Sequence, residues 1–195
     1  MNKRGLILDN IPNLLTVSRI ILTFVVMYLI FAGNDIRLII VIFAIAALTD
    51  FFDGRLARRF KWVSEFGRKA DMIADRFLWV GTALAFLISA GLNDQLHWYL
   101  GFQLLFIMSR EVVSAPFALI AFFSGKDITH ARYIAKVTTF IQGFALPALI
   151  VSVYYPIFML ISVPLSLVCA VTGFMSAIYY MHDIHAPRKK RKSKK

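Results

Sequence analysis

Residues 49–76 read TDFFDGRLARRFKWVSEFGRKADMIADR and place four aspartates in a strongly apolar chain. Asp50 and Asp53 are three residues apart, and Asp71 and Asp75 are four apart, so each pair shares one face of a helix. Because only a short polar link separates the pairs, we expect two antiparallel neighbouring helices that turn both pairs toward one point. The rest of the chain must accommodate these charges.

The composition is that of a membrane protein. Of the 195 residues, 59% are hydrophobic and 17% are charged, whereas soluble domains carry about 45–50% apolar and about 25% charged residues. The apolar residues lie in long runs between short polar breaks, which is typical of a polytopic membrane protein. A soluble helical bundle is the alternative, but its helices would need polar faces that most of these runs lack.

The apolar runs predict an all-α integral membrane protein with six transmembrane helices. Each run is long enough to cross a hydrocarbon core of about 30 Å. Turn-forming residues separate the runs, for example at Gly33-Asn34-Asp35 and at Tyr155-Pro156. The predicted helices span residues 11–31, 37–58, 67–91, 97–124, 132–154 and 157–182.

The formal net charge of +11 would suggest a nucleic-acid partner in a soluble protein, but here it follows from topology. With the N-terminus in the cytoplasm, only Arg37 among the basic residues near helix ends falls outside, so both termini are predicted to be cytoplasmic. Arg19 is counted with the cytoplasmic charges. We expect one transmembrane domain over residues 1–187 and a disordered basic tail over 188–195, which sets topology or also attracts anionic lipids.

Carboxylates within a membrane span need compensation. One carboxylate costs roughly 2.5–3.5 kcal/mol at mid-membrane on insertion scales, and four close together also repel one another. Two kinds of compensation are open: ion pairs with nearby arginines, or a divalent cation such as Mg²⁺ or Mn²⁺, which prefers clustered carboxylates. The segment contains no Cys or His, which argues against zinc.

The residues beside the aspartates favour a metal-bound diphosphate. Gly54, Ala57 and Gly67 are small and would let a ligand approach the helices closely. Arg58 can offer a bidentate guanidinium fork to a phosphate. Carboxylates, small residues and an arginine together describe a site for a diphosphate held by cations.

The pattern Asp50-x2-Asp53-Gly54-x2-Ala57-Arg58-x8-Gly67-x3-Asp71-x3-Asp75 resembles, at every fixed position, the signature of the CDP-alcohol phosphotransferases. The opening Asn10-Ile11-Pro12-Asn13-Leu14-Leu15-Thr16, followed by Arg19, is similar to that of bacterial phosphatidylglycerophosphate synthases and eukaryotic-type cardiolipin synthases. Arg110-Glu111 and Lys136-x-Thr138-x2-Ile141-Gln142 are similar to later elements of the same enzymes. The resemblance covers most of the chain.

The resemblance implies roles for individual residues. Two Mg²⁺ or Mn²⁺ ions would be held by Asp50, Asp53, Asp71 and Asp75, and Asp75 would also be the general base. The CDP group would contact Asn13, Thr16, Asp50, Asp53, Gly54, Ala57, Arg58, Gly67 and Asp71. The phosphate of an acceptor would be bound by Arg110, Arg132 and Lys136, which could otherwise simply extend toward lipid headgroups.

The resemblance also implies a reaction: an alcohol displaces CMP from a CDP-lipid at the cytoplasmic face of the cell membrane. CDP-diacylglycerol and glycerol 3-phosphate are the expected substrates, and a homodimer is the expected assembly. Phosphatidylglycerol, inositol phosphate and serine are alternative acceptors. An ion-coupled transporter is an alternative of another class, but the carboxylates lie near helix ends, and no second repeat with a matching broken helix is present.

Overall fold

The computed structural model describes the backbone of residues 11–60, 65–114, 116–117, 120 and 129–185. Side chains are described for 16–49, 74, 76–113, 116–117, 120 and 133–182. Within these ranges every regular element is helical, as the apolar pattern predicts. The contacts divide the chain into two compact units, Met1–His97 and Trp98–Lys195.

The first unit contains three long helices, α1 (Ile11–Phe31), α2 (Ile36–Phe60) and α3 (Glu65–Leu92). Their bounds lie within two residues of the predicted ones. Helix α1 ends in a Schellman turn, in which Gly33 has a φ of 63° and the Asn34 N–H donates to the Leu29 carbonyl at 3.1 Å. Because φ is positive, the predicted turn glycine is needed at this position.

Helix α1 is the common packing partner of α2 and α3. Its core face is a heptad-like stripe of buried residues, namely Thr16, Arg19, Thr23, Val26 and Ile30. Helix α1 packs extensively against both α2 and α3, whereas α2 and α3 make few direct contacts with each other. One of these is an edge-to-face contact between Phe43 and Trp79, with ring centroids 5.5 Å apart. The expected pair of neighbouring helices is therefore held mainly through α1.

Helices α1 and α3 run parallel. The ring centroids of Phe24 and Phe77 are 5.2 Å apart, and nearer the C-termini the Ser89 hydroxyl donates to the Ile30 carbonyl at 3.3 Å. Between these contacts, a Cβ atom placed on Gly81 would lie 3.2 Å from the sulfur of Met27. Small residues that let helix backbones approach closely are typical of helix packing in membranes.

The second unit contains α4 (Trp98–Ile107), a π-helical turn (Arg110–Ser114), α5 (Thr129–Tyr154), a 3₁₀ turn (Pro156–Phe158) and α6 (Met159–His185). Helices α5 and α6 pack against each other over most of their length, and α4 and the π turn pack against α6. The break at Tyr155-Pro156 lies where the sequence predicts it. Within the predicted helix 97–124, the first α-helical stretch ends at Ile107, a π turn follows, and the described positions 116, 117 and 120 are again α-helical.

Two helical segments are long and apolar enough to cross a membrane, Tyr133–Tyr154 and Pro156–His182. Four shorter apolar helical segments accompany them: Thr16–Phe31, Ile36–Thr49, Arg76–Leu92 and Trp98–Ile107. Outward faces carry large apolar side chains, such as Phe140 and Leu160, which are 70% and 73% exposed. Extensive exposed apolar surface marks a membrane or protein interaction surface rather than a surface that meets water.

The close approach at Gly81 gives a test of the packing between α1 and α3. Replacing Gly81 by Val should lower the free energy of unfolding by about 1–3 kcal/mol, because the new methyl groups must displace Met27 and Thr23. Thermal unfolding in detergent measures the loss. Gly91→Val is the matched control, since the nearest atom to its Cβ is 3.9 Å away. Equal unfolding midpoints for the two variants would contradict this packing.

Candidate functional site

The aspartate motif lies on the two helix ends that a short link joins. Asp50 and Asp53 lie in the second half of α2, and Asp71 and Asp75 lie in the first half of α3. The same helix ends carry the other motif positions, Gly54, Ala57, Arg58 and Gly67. The structure therefore places the whole motif on helical backbone, while the side chains of these residues lie outside the described part of the chain.

On α2 the motif continues a buried stripe. Ile36, Ile39, Phe43 and Ala46 are all buried, with 7% exposure or less. Extending this stripe by the helical period of 3.6 residues leads to positions 50, 53 and 57. The motif positions of α2 are thus in register with the face that this helix turns toward its packing partners.

The same holds for α3. Ala74, Leu78 and Thr82 each have 0% exposure and define the core face of this helix. Gly67, Asp71 and Asp75 each lie seven residues, or about two turns, before the corresponding one of these three residues. On both helices, the motif residues are spaced like the buried residues of the core face. The motif therefore continues that face toward the link between α2 and α3.

The contact between Phe43 and Trp79 relates the two helices in height. From Phe43, Asp50 lies two turns, or about 10 Å, toward the link, and from Trp79, Asp75 lies about 6 Å toward the same link. These two positions also lie on the faces of α2 and α3 that carry the contacting rings. The expectation that both aspartate pairs approach one region is thus supported by backbone register.

Helix α1 brings a buried arginine to this level. Arg19 has 0% exposure and lies one and a half turns before Phe24, which contacts Phe77. Because α1 and α3 are parallel, Arg19 lies at the height of positions 71 to 75 of α3. Arg19 also takes part in an interaction within the protein. Counting Arg19 among the cytoplasmic charges does not predict its burial, although its place in the apolar stripe of α1 indicates it.

A buried guanidinium requires negative charge nearby. The acidic residues of the first unit whose side chains the structure describes, Asp35 and Asp94, lie in the turns that follow α1 and α3, at the opposite end of these helices. The four motif aspartates lie at the correct height. In the side chains that the structure describes, no group of three His, Cys, Asp or Glu could bind a metal, and the motif aspartates are not among these side chains.

Thr16 and Asn13 were predicted to lie on the nucleotide side of the site. Thr16 is 5% exposed and continues the buried stripe of α1 by one turn beyond Arg19. Asn13 lies one turn further, on helical backbone, and its side chain is outside the described part. Both residues are therefore on the end of α1 that lies beside the motif positions of α3.

In the second unit, Arg110 is held by polar contacts on two sides. One terminal guanidinium nitrogen donates a hydrogen bond to the hydroxyl of Thr139 on α5 and lies 3.2 Å from Oε1 of Glu111. The side chains of Arg110 and Glu111 are 19% and 7% exposed. The guanidinium is thus oriented by its neighbours rather than extended freely toward the surface.

The other basic residues predicted to bind an acceptor phosphate lie on α5. Lys136 is exposed and lies one turn before Thr139, the hydrogen-bond partner of Arg110. Arg132 lies one further turn back, so positions 132, 136 and 139 share one face of the helix. The side chain of Arg132 is outside the described part. The structure therefore brings Arg110 and Lys136 to neighbouring turns of packed elements.

The buried arginine of α1 gives a test of the first unit. Arg19→Met should lower the free energy of unfolding by about 3 kcal/mol or more, because removing one partner from a buried set of charges leaves the others uncompensated. Thermal unfolding in detergent measures this change. Arg37→Met is the control, since Arg37 is exposed at the other end of the unit and should change stability by less than about 0.5 kcal/mol. Equal effects of the two substitutions would show that Arg19 needs no such counter-charge.

Comparison with known proteins agrees with the motif. The family model described as CDP-alcohol phosphatidyltransferase matches residues 9–168. A protein from Rickettsia typhi is 33% identical over 145 residues, which cover 73% of this chain and 77% of that protein. A protein from Salmonella typhimurium is 36% identical over 142 residues, covering 70% and 74% respectively. Both are named CDP-diacylglycerol–glycerol-3-phosphate 3-phosphatidyltransferase.

The match includes the whole aspartate motif, both helices that carry it, and the Arg110 and Lys136 positions of the second unit. A family model that covers this much of the sequence does not depend on one short pattern. The chain belongs to the CDP-alcohol phosphatidyltransferase family.

Proposed function

We propose that this protein transfers the phosphatidyl group of CDP-diacylglycerol to glycerol 3-phosphate and releases CMP. The observation that carries the proposal is the similarity to relatives named for this reaction, over more than two thirds of the chain. The register of the aspartates on α2 and α3 supports it, since it brings the residues that the reaction needs to one level of the packed helices.

The reaction is a displacement at phosphorus. A hydroxyl oxygen of glycerol 3-phosphate attacks the lipid-linked phosphorus of CDP-diacylglycerol, and the bond from that phosphorus to the bridging oxygen of CMP breaks. The hydroxyl proton passes to a base, and CMP leaves with the electron pair of the broken bond. The protein must hold the diphosphate, orient the hydroxyl and accept the proton.

The donor set of the motif fits a hard cation. Four carboxylates without sulfur or imidazole ligands are the chemistry that Mg²⁺ and Mn²⁺ select. Asp50, Asp53, Asp71 and Asp75 would hold two ions. Such ions neutralise the diphosphate and the charge that develops on the leaving phosphate. Asp75 would also accept the proton of the attacking hydroxyl, which is a role that suits a carboxylate within hydrogen-bond reach.

The remaining motif positions would bind the CDP group. Gly54, Ala57 and Gly67 provide the small positions at which a nucleotide can approach the helix backbones, and Arg58 supplies a guanidinium for a phosphate. The buried position of Thr16 supports a contribution from α1, and Asn13, one turn before it, belongs to the same end of that helix.

Arg110, Arg132 and Lys136 would bind the phosphate of glycerol 3-phosphate. Arg110 is already oriented by Thr139 and Glu111, so little side-chain freedom is lost when it binds an anion. Lys136, one turn away on α5, is exposed and can add a second positive charge. An acceptor without a phosphate would make no use of this set.

Six membrane spans, with both termini and the active site at the cytoplasmic face, complete the proposal. The two long apolar segments and the four shorter ones support this count, and the basic residues supply the orientation. We expect the enzyme to work as a homodimer in the cell membrane. Nothing in this arrangement requires nucleic acid as a partner.

Purified protein should convert labelled CDP-diacylglycerol and glycerol 3-phosphate, with Mg²⁺ or Mn²⁺, to phosphatidylglycerophosphate and CMP. Asp75→Asn should reduce the rate by at least a factor of about 10², because the amide cannot accept the proton. Chromatography of the lipid product, with glycerol 3-phosphate, phosphatidylglycerol, inositol phosphate and serine offered in turn, identifies the acceptor.

A product formed only with phosphatidylglycerol would indicate cardiolipin synthesis and contradict the proposed acceptor. Full activity of Asp75→Asn would contradict the assigned base. Asp94→Asn is the matched control, since Asp94 lies in the turn after α3, far along the chain from the motif, and its substitution should leave the rate unchanged.

The topology is tested by labelling with a membrane-impermeant maleimide. Asn34→Cys, in the turn after α1, should be labelled in intact cells, whereas Ser193→Cys, in the basic tail, should be labelled only after the membrane is permeabilised. The unmodified chain is the control, because its single cysteine, Cys169, is buried and should not react. Labelling of Ser193→Cys in intact cells would place the C-terminus outside and contradict the six-span arrangement.

A further inference from the structure

Helix α6 passes very close to the end of α4 at Gly173. A Cβ atom on Gly173 would lie 2.1 Å from Oγ and 2.9 Å from Cβ of Ser109, and 3.0 Å from the backbone nitrogen of Arg110. These distances are shorter than real van der Waals contacts, and one of them involves backbone. The contact therefore requires glycine, and it occurs at the first residue of the π turn.

A hydrogen bond fixes the same contact one turn earlier on α6. The Ser109 hydroxyl donates to the carbonyl oxygen of Cys169 at 2.9 Å. Cys169 and Gly173 are separated by one helical turn, so they lie on the same face of α6. Ser109 thus contacts α6 at two successive turns, which fixes both the distance and the register between α6 and the π turn.

Helix α5 holds the turn from another helix. The side-chain amide of Gln142 donates to the carbonyl oxygen of Ile107 at 2.6 Å, and Gln142 has 0% exposure. In an uninterrupted α-helix this carbonyl would accept from the N–H of Glu111, but that N–H donates to Met108 instead, at 2.9 Å. Gln142 therefore satisfies an acceptor that the change in helix geometry leaves open.

The turn decides where Arg110 points. Arg110 is the first residue of the π turn and directly follows Ser109, whose position is fixed by its two contacts with α6. A displacement of Ser109 would therefore move Arg110 away from Thr139, which lies one turn before Gln142 on α5. Helix α5 thus contacts both the Ile107 carbonyl, just before the turn, and the side chain of Arg110 at its start.

We infer that Gly173 and Gln142 are positioning residues, which hold the π turn and thereby direct Arg110 toward the phosphate of the acceptor. This inference rests on the proposed function, because it assigns Arg110 to that phosphate. Neither residue contacts a substrate. Their effect reaches the reaction through the guanidinium, and it concerns the acceptor rather than the CDP-lipid.

Kinetics with both substrates varied test the inference. Gly173→Ala should raise the KM for glycerol 3-phosphate about tenfold, since a displacement of about 1 Å is costly for an oriented group. The KM for CDP-diacylglycerol and the kcat at saturating acceptor should change less than about twofold. Gln142→Leu, which keeps the side-chain size and removes the amide donor, should give the same pattern. Arg110→Gln removes the guanidinium itself and gives the largest expected increase in the KM for glycerol 3-phosphate.

Gly101→Ala is the matched control, because Gly101 lies on α4 of the same unit and no atom lies within 4 Å of its Cβ. It should leave both KM values unchanged.

Each outcome has a separate meaning. If Gly173→Ala and Gln142→Leu match Gly101→Ala, or if they change both KM values and kcat alike, the positioning role is wrong. If Gly173→Ala does not fold, the KM values of Gln142→Leu alone decide the inference. Absence of product from the unmodified enzyme with glycerol 3-phosphate would contradict the proposed function, and the inference that rests on it would be overturned as well.

Discussion

Charge within apolar helices is costly unless protein surrounds it, and the first unit is arranged to meet this constraint. The backbone positions of the four aspartates extend the stripes along which α2 and α3 pack, and Arg19 lies in the buried stripe of α1. Helix α1 is central to this arrangement, because it packs against both motif helices and carries the arginine. The aspartates thus follow the same helical spacing as the buried residues of α2 and α3.

In the second unit, polar side chains fix the positions of the helices relative to one another. Its helices carry few charges, and the polar side chains within it act on backbone or on each other: Ser109 bonds to Cys169, Gln142 bonds to Ile107, and Ser162 donates to Gln103 at 2.9 Å. These contacts fix helix register, and one of them supports a departure from α-helical geometry. Arg110, at that departure, is oriented by Thr139 and Glu111.

Most helix bounds could be predicted from the sequence, because apolar runs and turn residues mark them directly. Gly33 and Pro156 lie where the turns are. The π turn within the predicted helix 97–124 was not foreseen, since an inserted residue in a π turn leaves the hydrophobic pattern nearly unchanged. The burial of Arg19 was missed for a related reason: a count of charges by side of the membrane takes no account of the helix face on which a charge lies. The motif residues were found because their spacing is fixed by chemistry, and their assigned roles stay predictions.

The burial of Arg19 has a consequence for how the protein is made. Helix α1 leaves the ribosome before α2 and α3, so at that time its arginine has neither its helical neighbours nor the aspartates on them. Arg19 lies about 12 Å from the start of α1, within reach of the headgroup region for a long side chain. If α1 enters the membrane first, as the proposed topology requires, its guanidinium can extend to the headgroup region until the later helices pack against it. Biogenesis of the first unit then ends with the burial of a charge, so its assembly should be sensitive to the order in which the helices are inserted.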